Sequence, residues 1–273
     1  MQTWHVAAGR DASVAVSSVA CLLEASACAQ PAAKLLAFID SIVPVDHLSL
    51  VEYVARAREG VATPELVEGL SAPDIPNVTP ACFALYRERF WRQDEATRLA
   101  QHLGDESLPL VALRFAPADI CVPSWRREIY DRVCLEDRLS FLYSPLDGRA
   151  FAINLYRGRR HGPFASHEVE RLLAVAPLLK QAHRAGLDSC TRQQDLDTRI
   201  AHAAAALARR LPELSARERA VCARIACGVS ADGIAAELDV APSTVTTLRK
   251  RAYAKLARHG SGSGRTALAG FAQ

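Results

Sequence analysis

The sequence predicts two domains: an N-terminal α+β domain, with helices around an antiparallel sheet, and a C-terminal all-α domain of four short helices. Residues 214–273 show helix-end signals and the apolar spacing of helices throughout, whereas residues 1–213 also contain short segments in which apolar and polar residues alternate. Charge divides at the same place. Residues 214–273 carry nine Lys and Arg against four Asp and Glu (+5), and the remainder carries 24 against 26 (−2), which together give +3. We predict domains at 1–185 and 213–273, joined by a helical linker at 186–212.

The first half of the N-terminal domain shows helical and alternating segments in turn. Two Ala-rich amphipathic segments, 12–27 and 32–42, are predicted as helices, and the alternating segment His47–Val54 as a strand. A loop rich in Pro and Gly is expected next. A long amphipathic helix from Pro80 to about His102 and a strand over Leu108–Phe115 follow.

The second half of this domain turns to β structure. A helix over Ser124–Cys134, capped by Ser124, precedes two strands, Arg138–Tyr143 and Arg149–Tyr156. The turn-rich segment between them predicts an antiparallel pair. Asp137 and Arg138 are expected to form an ion pair at the strand start, and Ser166–Arg184 closes the domain as a helix.

The C-terminal domain begins with two helices that have clear end signals. Ser215 followed by Glu218 is a capping box, so the first helix is predicted to start near Ala216. Gly228 can adopt the left-handed conformation that closes it. Ser230 is then in place to cap the second helix.

A third helix, from Pro242 to about Arg258, has two different faces. Its apolar residues are spaced by three and four, which predicts one buried face of Val245, Leu248, Ala252 and Leu256. The opposite face is polar and cationic: Thr246, Thr247, Arg249, Lys250 and Arg251. Such a face suits the major groove of DNA, where polar side chains reach base edges and cations neutralise phosphates. The alternative is an ordinary solvated helix face.

Several spaced motifs of this segment resemble the LuxR-type helix-turn-helix. They are Leu214–Val221, Gly228–Ser230, Ile234–Ala235, Leu238–Val240 and Ser243–Val245, with Lys255–Leu256 and Arg265–Thr266. The resemblance implies that the third helix reads double-stranded DNA. It also implies a fourth helix, about 265–271, that pairs two copies into a homodimer on a near-palindromic site, with RNA polymerase as a further partner.

The resemblance also assigns roles to single residues. Positions that face bases are Thr246, Thr247 and Lys250, and positions that usually contact phosphates are Thr244, Arg251 and Lys255. The family usually has a cation at position 246 and a His at position 248, so we expect Arg249 and Arg251 to compensate. These departures leave an alternative open, in which the domain is an interaction module that pairs with other regulators and does not bind DNA.

The element order of the N-terminal domain resembles sensory domains of the GAF and PAS kind, by layout and not by motif. The resemblance implies an unknown small-molecule ligand between sheet and helices, and the candidate lining is Phe90, Trp91, Trp125 and Tyr143. The alternative is that these aromatic residues form the core. An acyl-homoserine lactone is not expected, because the chain has no Asp-Pro pair and no Trp and Tyr four residues apart.

Other classes of protein lack their motifs here. We find no G-x-x-x-x-G-K-[ST], G-x-S-x-G, H-E-x-x-H or G-x-G-x-x-G, and no His cluster at metal spacing, so we expect neither an enzyme nor a cofactor or metal. The eight cysteines form no Cys-x-x-Cys pair and are expected to be buried thiols. No apolar run is long enough for a bilayer, so a cytoplasmic protein without membrane contact is expected. The linker could be a passive tether or a helix that transmits a signal.

Overall fold

The computed structural model describes residues 1–6, 13–24, 31–55, 62–103, 110–144, 149–258 and 268. The chain divides into two compact units, Met1–Asp188 and Ser189–Gln273. The first unit holds an antiparallel sheet flanked by helices and the second is helical, so the predicted fold class is confirmed. Among the helices of these ranges, none combines the length and apolar character needed to cross a membrane.

Six strands form the sheet of the first unit. They are β1 Gln2–His5, β2 His47–Ala55, β3 Ala62–Ser71, β4 Val111–Phe115, β5 Leu135–Tyr143 and β6 Ala150–Gly158. Their order is β1-β4-β5-β6-β2-β3, and every neighbouring pair is antiparallel. The predicted antiparallel pair of strands before and after residues 144–148 is confirmed as β5 and β6, which are direct neighbours.

Helices cover both faces of this sheet. They are α1 Val16–Glu24, α2 Pro31–Asp40, α3 Thr79–Arg89, α4 Glu95–His102, α5 Pro123–Trp125, which continues as a π-helix over Arg126–Asp131, and α6 Ser166–Arg210. Alternate residues of a strand point to opposite faces. Leu48 and Leu50 of β2 therefore join the core that α1, α2 and the first part of α6 cover, while Val51 and Tyr53 join the core that α3, α4 and α5 cover.

Two strands were not predicted from the sequence. β1 has no alternating pattern, and β3 lies in the segment predicted as a Pro- and Gly-rich loop. β3 is an edge strand, where a proline such as Pro64 removes no essential hydrogen bond. Gly69 permits a close approach, since a Cβ at this position would lie 2.6 Å from Thr79 Cγ2 at the start of α3.

Several predicted helices have different bounds in the structure. The helix predicted over 80–102 breaks between α3 and α4 into a 3-10 turn, Trp91–Gln93, and Asp94 then caps α4 by accepting from the Ala96 amide. Ser124 lies inside α5 and is not its cap, because the cap position is Val122. The helix predicted to end near Arg184 continues to Arg210.

The second unit contains α7 Ala216–Ala226, α8 Ala231–Glu237 and α9 Pro242–Arg258. Their core also includes the last turns of α6, through Ile200, Ala203 and Leu207. The predicted start of the third helix at Pro242 and its end at Arg258 are confirmed. The predicted fourth helix and the Gly260–Gly264 stretch lie outside the described residues, except for Leu268, which is buried.

Candidate nucleic-acid interface and ligand cavity

The start of α7 is fixed by the predicted capping box. The Glu218 amide donates to Ser215 Oγ at 3.3 Å, and the Ser215 amide donates to Glu218 Oε2 at 2.8 Å. Gly228 closes the helix with a φ of +88°, and the Gly233 amide donates to Ser230 Oγ at the start of α8. All three end signals read from the sequence are therefore confirmed, and they set the positions of the helices that support α9.

α9 has a polar face and a buried face, and the packing of the buried face fixes the orientation of the polar one. Val245, Ala252 and Leu256 are buried, whereas Thr247, Lys250 and Arg251 are exposed. The remaining predicted residues Thr244, Thr246 and Arg249 are half-buried. Across the described ranges, no acidic side chain pairs with Arg249, Lys250 or Arg251. The helix thus carries three consecutive cations that have no counter-charge among the residues described.

The two threonine hydroxyls of this face bond locally. Thr246 Oγ1 donates to the Pro242 carbonyl at 3.1 Å, and Thr247 Oγ1 donates to the Ser243 carbonyl at 3.0 Å. A hydroxyl that donates in this way still has lone pairs with which to accept. These side chains can therefore meet donor groups and methyl groups of a partner, as base edges in the major groove provide.

Lys255 lies apart from this face. Its ammonium is 2.6 Å from Glu218 Oε2 and 3.0 Å from the Glu213 carbonyl oxygen, so it joins α9 to the start of α7. Burial raises the pKa of the Glu218 carboxyl, but hydrogen bonds from Lys255 and Ser215 outweigh burial, and the pKa lies below its ordinary value. The predicted phosphate-contacting residue is thus placed in an ion pair inside the domain.

One cation beside α9 was not singled out from the sequence. Arg217 is exposed in the first turn of α7, and it lines the same groove as Thr244, Thr247 and Arg251. The capping box could have indicated this residue, because it places Arg217 two residues after the N-cap, next to the free amides of the helix start.

The first unit contains a partly open cavity of about 70 Å³ between the sheet and helices α3 and α5. Six aromatic side chains line it: Tyr53, Phe83, Tyr86, Trp125, Tyr130 and Tyr156. The strand β2 contributes alternate residues, His47, Ser49, Val51 and Tyr53. This regular spacing lies within the predicted strand, so the alternation of His47–Val54 is a sequence signal for three further lining residues, His47, Ser49 and Val51.

Of the four aromatic residues predicted to line a ligand site, the structure places one in the cavity wall. Trp125 lines the cavity, and Phe90 stacks behind it with ring centroids 6.1 Å apart. Trp91 is buried outside the lining, under Arg92. Tyr143 belongs to the core on the other face of the sheet, where its hydroxyl lies 2.6 Å from His183 Nδ1.

A buried ion pair forms the polar end of the cavity. Arg138 on β5 and Asp94 at the cap of α4 are 5% and 3% exposed, and two hydrogen bonds of 2.8 and 2.9 Å join them. The predicted pairing of Asp137 with Arg138 is wrong. Adjacent strand residues point to opposite faces, so Asp137 pairs instead with Arg114 at 2.7 Å.

No group of three or more His, Cys, Asp or Glu side chains in the described part of the chain is arranged to hold a metal ion. The cysteines that the structure describes are free, and of these only Cys222 is fully buried while Cys121 and Cys190 are exposed. The geometry therefore supports two sites: the exposed face of α9 and the cavity of the first unit.

Comparison with known proteins gives a family match within the second unit. Residues 212–262 match the family model of bacterial regulatory proteins, luxR family. A segment of 45 residues is 67% identical to the "Probable transcriptional regulatory protein NarL" of Mycobacterium tuberculosis (strain CDC 1551 / Oshkosh). That segment is 16% of this chain and 21% of the relative, so the match spans about a fifth of the curated relative.

Comparison with solved structures gives matches of low sequence identity. Escherichia coli SdiA is 16% identical, with 94% of this chain and 95% of that chain covered and a TM-score of 0.43. The N-acylhomoserine lactone dependent LuxR family transcription factor CepR2 from Burkholderia cenocepacia is 12% identical, with coverage of 64% and 96% and a TM-score of 0.49. The VqsR LBD domain from Pseudomonas aeruginosa is 16% identical, with coverage of 63% and 96% and a TM-score of 0.45.

Proposed function

We propose, from the premise that residues 212–262 form a luxR-family domain, that this chain is a transcription regulator that binds double-stranded DNA as a homodimer. One observation carries the proposal. α9 carries three consecutive cations, of which Lys250 and Arg251 are exposed, and none has an acidic partner in the described part of the domain; the buried side of the helix fixes the direction in which they point. A helix of this kind reads the major groove in helix-turn-helix proteins.

The roles within this interface differ by position. We propose that Thr246, Thr247 and Lys250 meet base edges, because they lie in the N-terminal half of α9, where Thr247 and Lys250 are exposed and Thr246 is half-buried. We propose that four surrounding residues contact DNA phosphates: Thr244, Arg249, Arg251 and Arg217. Lys255 acts differently: its ion pair with Glu218 positions α9 on α7 and thereby holds the reading face in place.

The first unit is proposed to regulate the second through a small molecule in its cavity. An aromatic wall with one buried polar end is typical of small-molecule sites. One helix contributes to both cores, since α6 supplies Leu172 and Leu179 to the first and Ile200 and Leu207 to the second. A change in the packing of the first core can therefore alter the second core through α6. We propose RNA polymerase as a further partner of the regulator.

Two measurements test DNA binding. The full-length protein is used to select duplexes from random-sequence DNA, and its affinity for the selected duplex is then measured by fluorescence anisotropy at several salt concentrations. The double variant Lys250→Ala, Arg251→Ala should bind the selected duplex at least about tenfold more weakly, with the slope of log affinity against log salt shallower by about 1. The control removes the same charge from the first unit, Arg126→Ala with Arg171→Ala, both exposed. It should leave the slope unchanged.

The alternative is an interaction module that pairs with other regulators. Two positions favour it, because Thr246 stands where the family has a cation, and Leu248 is half-buried where the family has a histidine. In that case selection should recover no enriched duplex, and the two double variants should bind DNA equally weakly. Enrichment of a near-palindrome that depends on Lys250 and Arg251 supports the regulator instead.

A further inference from the structure

The carboxylate at the polar end of the cavity has no acceptor capacity left. Asp94 Oδ2 accepts from Arg138 Nη1 and from the Tyr86 hydroxyl, each at 2.9 Å. Oδ1 accepts from Arg138 Nη2 at 2.8 Å and from the Ala96 amide at 3.2 Å. A carboxylate offers about four lone-pair sites, so all of them are in use. A ligand at this end therefore cannot donate a hydrogen bond to Asp94 without displacing a protein donor.

Two donors remain at the same end. The Tyr130 hydroxyl and Arg138 Nε are fully buried, and neither has a hydrogen-bond partner among the residues described. Both residues line the cavity. Buried donors are almost always paired, so this end of the cavity calls for an acceptor. Burial raises the pKa of the Tyr130 phenol above its ordinary value, which keeps the hydroxyl protonated and able to donate.

The cavity carries no net charge. Arg138 and Asp94 neutralise each other through two hydrogen bonds. His47 is neutral near pH 7, because burial lowers the pKa of its imidazole and the opposing effect of Asp46 is smaller. A charged ligand would lose its hydration without gaining a counter-charge, which is strongly unfavourable.

We propose that the cavity binds a small uncharged molecule that presents a ketone or ester carbonyl, and no N–H donor, to Tyr130 Oη and Arg138 Nε. Its apolar part lies against the aromatic walls, among them Tyr86 and Trp125. This inference rests on the proposed function, because it names the chemistry of the signal that the first unit receives.

Small ring compounds test this chemistry directly on the full-length protein. Cyclopentanone carries a carbonyl and no N–H, pyrrolidin-2-one adds one N–H at the same ring size, methylenecyclopentane lacks the acceptor, and cyclopentanecarboxylate is charged. Affinities from ligand-observed NMR should be highest for cyclopentanone. The other three should bind at least about tenfold more weakly, since each leaves a polar group unpaired or desolvates a charge. Equal affinity for cyclopentanone and pyrrolidin-2-one would overturn the proposal, as would no binding of cyclopentanone.

Two tyrosine variants locate the contact. Tyr130→Phe removes a hydroxyl that has no partner in the described protein, so the fold should be unaffected and cyclopentanone affinity should fall about fivefold to tenfold. Tyr253→Phe is the control, because it makes the same change on α9 in the second unit, outside the cavity lining. Its cyclopentanone affinity should stay within about twofold of the wild type. A Tyr130→Phe variant that binds as tightly as the wild type refutes the assignment.

The test separates this inference from the proposed function. A protein that selects a duplex but shows no preference for cyclopentanone is a regulator whose cavity does not have the proposed specificity. A protein that prefers cyclopentanone, loses it in Tyr130→Phe and selects no duplex keeps the ligand assignment, and the DNA-binding proposal fails.

Discussion

Replacing Lys255 with methionine removes the ammonium from α9 and keeps most of the length of the side chain. In the wild type this ammonium contacts Glu218 Oε2 at 2.6 Å and the Glu213 carbonyl oxygen at 3.0 Å. The Glu218 side chain is only 5% exposed, and it also accepts the Ser215 amide. The variant therefore keeps a buried carboxylate that has lost its counter-charge.

The size of the loss follows from burial. Removing one partner of a buried ion pair costs about 3–5 kcal/mol. Lys255 is 26% exposed, so water can approach the site, and the Ser215 amide still donates to Glu218; both reduce the cost. We expect the free energy of unfolding of the second unit to fall by about 2 kcal/mol, between the values for exposed and buried pairs.

The loss should depend on pH with a definite sign. The pKa of Glu218 is below its ordinary value of 4.5, and Lys255 provides the largest lowering contribution against burial. A carboxyl with a lowered folded-state pKa stabilises the fold above its unfolded pKa, and this stabilisation is lost as the pH falls through the folded pKa. The difference between wild type and Lys255→Met should thus be complete at pH 7 and shrink below about pH 4.5.

Hydrogen–deuterium exchange of α7 and α9 amides measures this free energy, because every tryptophan of the chain (4, 91 and 125) lies in the first unit. Lys250→Met is the control: it makes the same change on the same helix at an exposed residue, and should stay within about 0.5 kcal/mol of the wild type. A loss of protection in Lys255→Met no larger than in Lys250→Met, or equal at pH 7 and pH 4, would contradict a stabilising Lys255–Glu218 ion pair.

Substitutions in the first unit have expected outcomes of their own. In urea unfolding followed by tryptophan fluorescence, Asp94→Asn should cost about 3–5 kcal/mol because Arg138 stays buried and charged, and adding Arg138→Met should recover most of it. Gly69→Ala should cost about 1–3 kcal/mol, and Thr79→Ser, which removes the methyl 2.6 Å from the new Cβ, should rescue it; an unchanged loss contradicts the clash. Burial lowers the pKa of His183 to about 4, below its unfolded value of 6.5. The contribution of His183 to the free energy of unfolding is therefore complete above pH 6.5, and this free energy should fall by about 1.4 kcal/mol per pH unit towards pH 4. His183→Gln should flatten this slope in urea titrations across the same pH range.

The second unit was predictable because its signals are local. A capping box, a left-handed glycine and a proline at a first helical position each involve residues a few positions apart, and the structure has all of them where the sequence placed them. The placement of Lys255 was not predictable in this way. Its partner Glu218 is 37 residues away, and only the packing of α9 on α7 brings them together.

The first unit was predicted less completely because its sheet depends on pairing between distant segments. β2, β5 and β6 are nine residues long and rich in apolar residues, so each is recognisable alone. β1 and β3 are edge strands, half covered, and are held by pairing with β4 and β2. An edge tolerates proline and glycine, so β3 carries the composition of a loop.

The cavity illustrates why a binding site is harder to predict than a fold. The pattern over 80–102 favours one continuous helix, yet the chain breaks at residues 90–94, and this break places Asp94 opposite Arg138. The start of a helix leaves backbone amides without partners, and Asp94 accepts a hydrogen bond from one of them, the Ala96 amide of α4, while it pairs with Arg138. The same residue thus explains both the wrong helix boundary and the polar end of the cavity. The local pattern predicts the wrong helix here because the ion pair between Asp94 and Arg138, which are 44 residues apart, outweighs it. Such departures from local sequence rules are expected at functional sites.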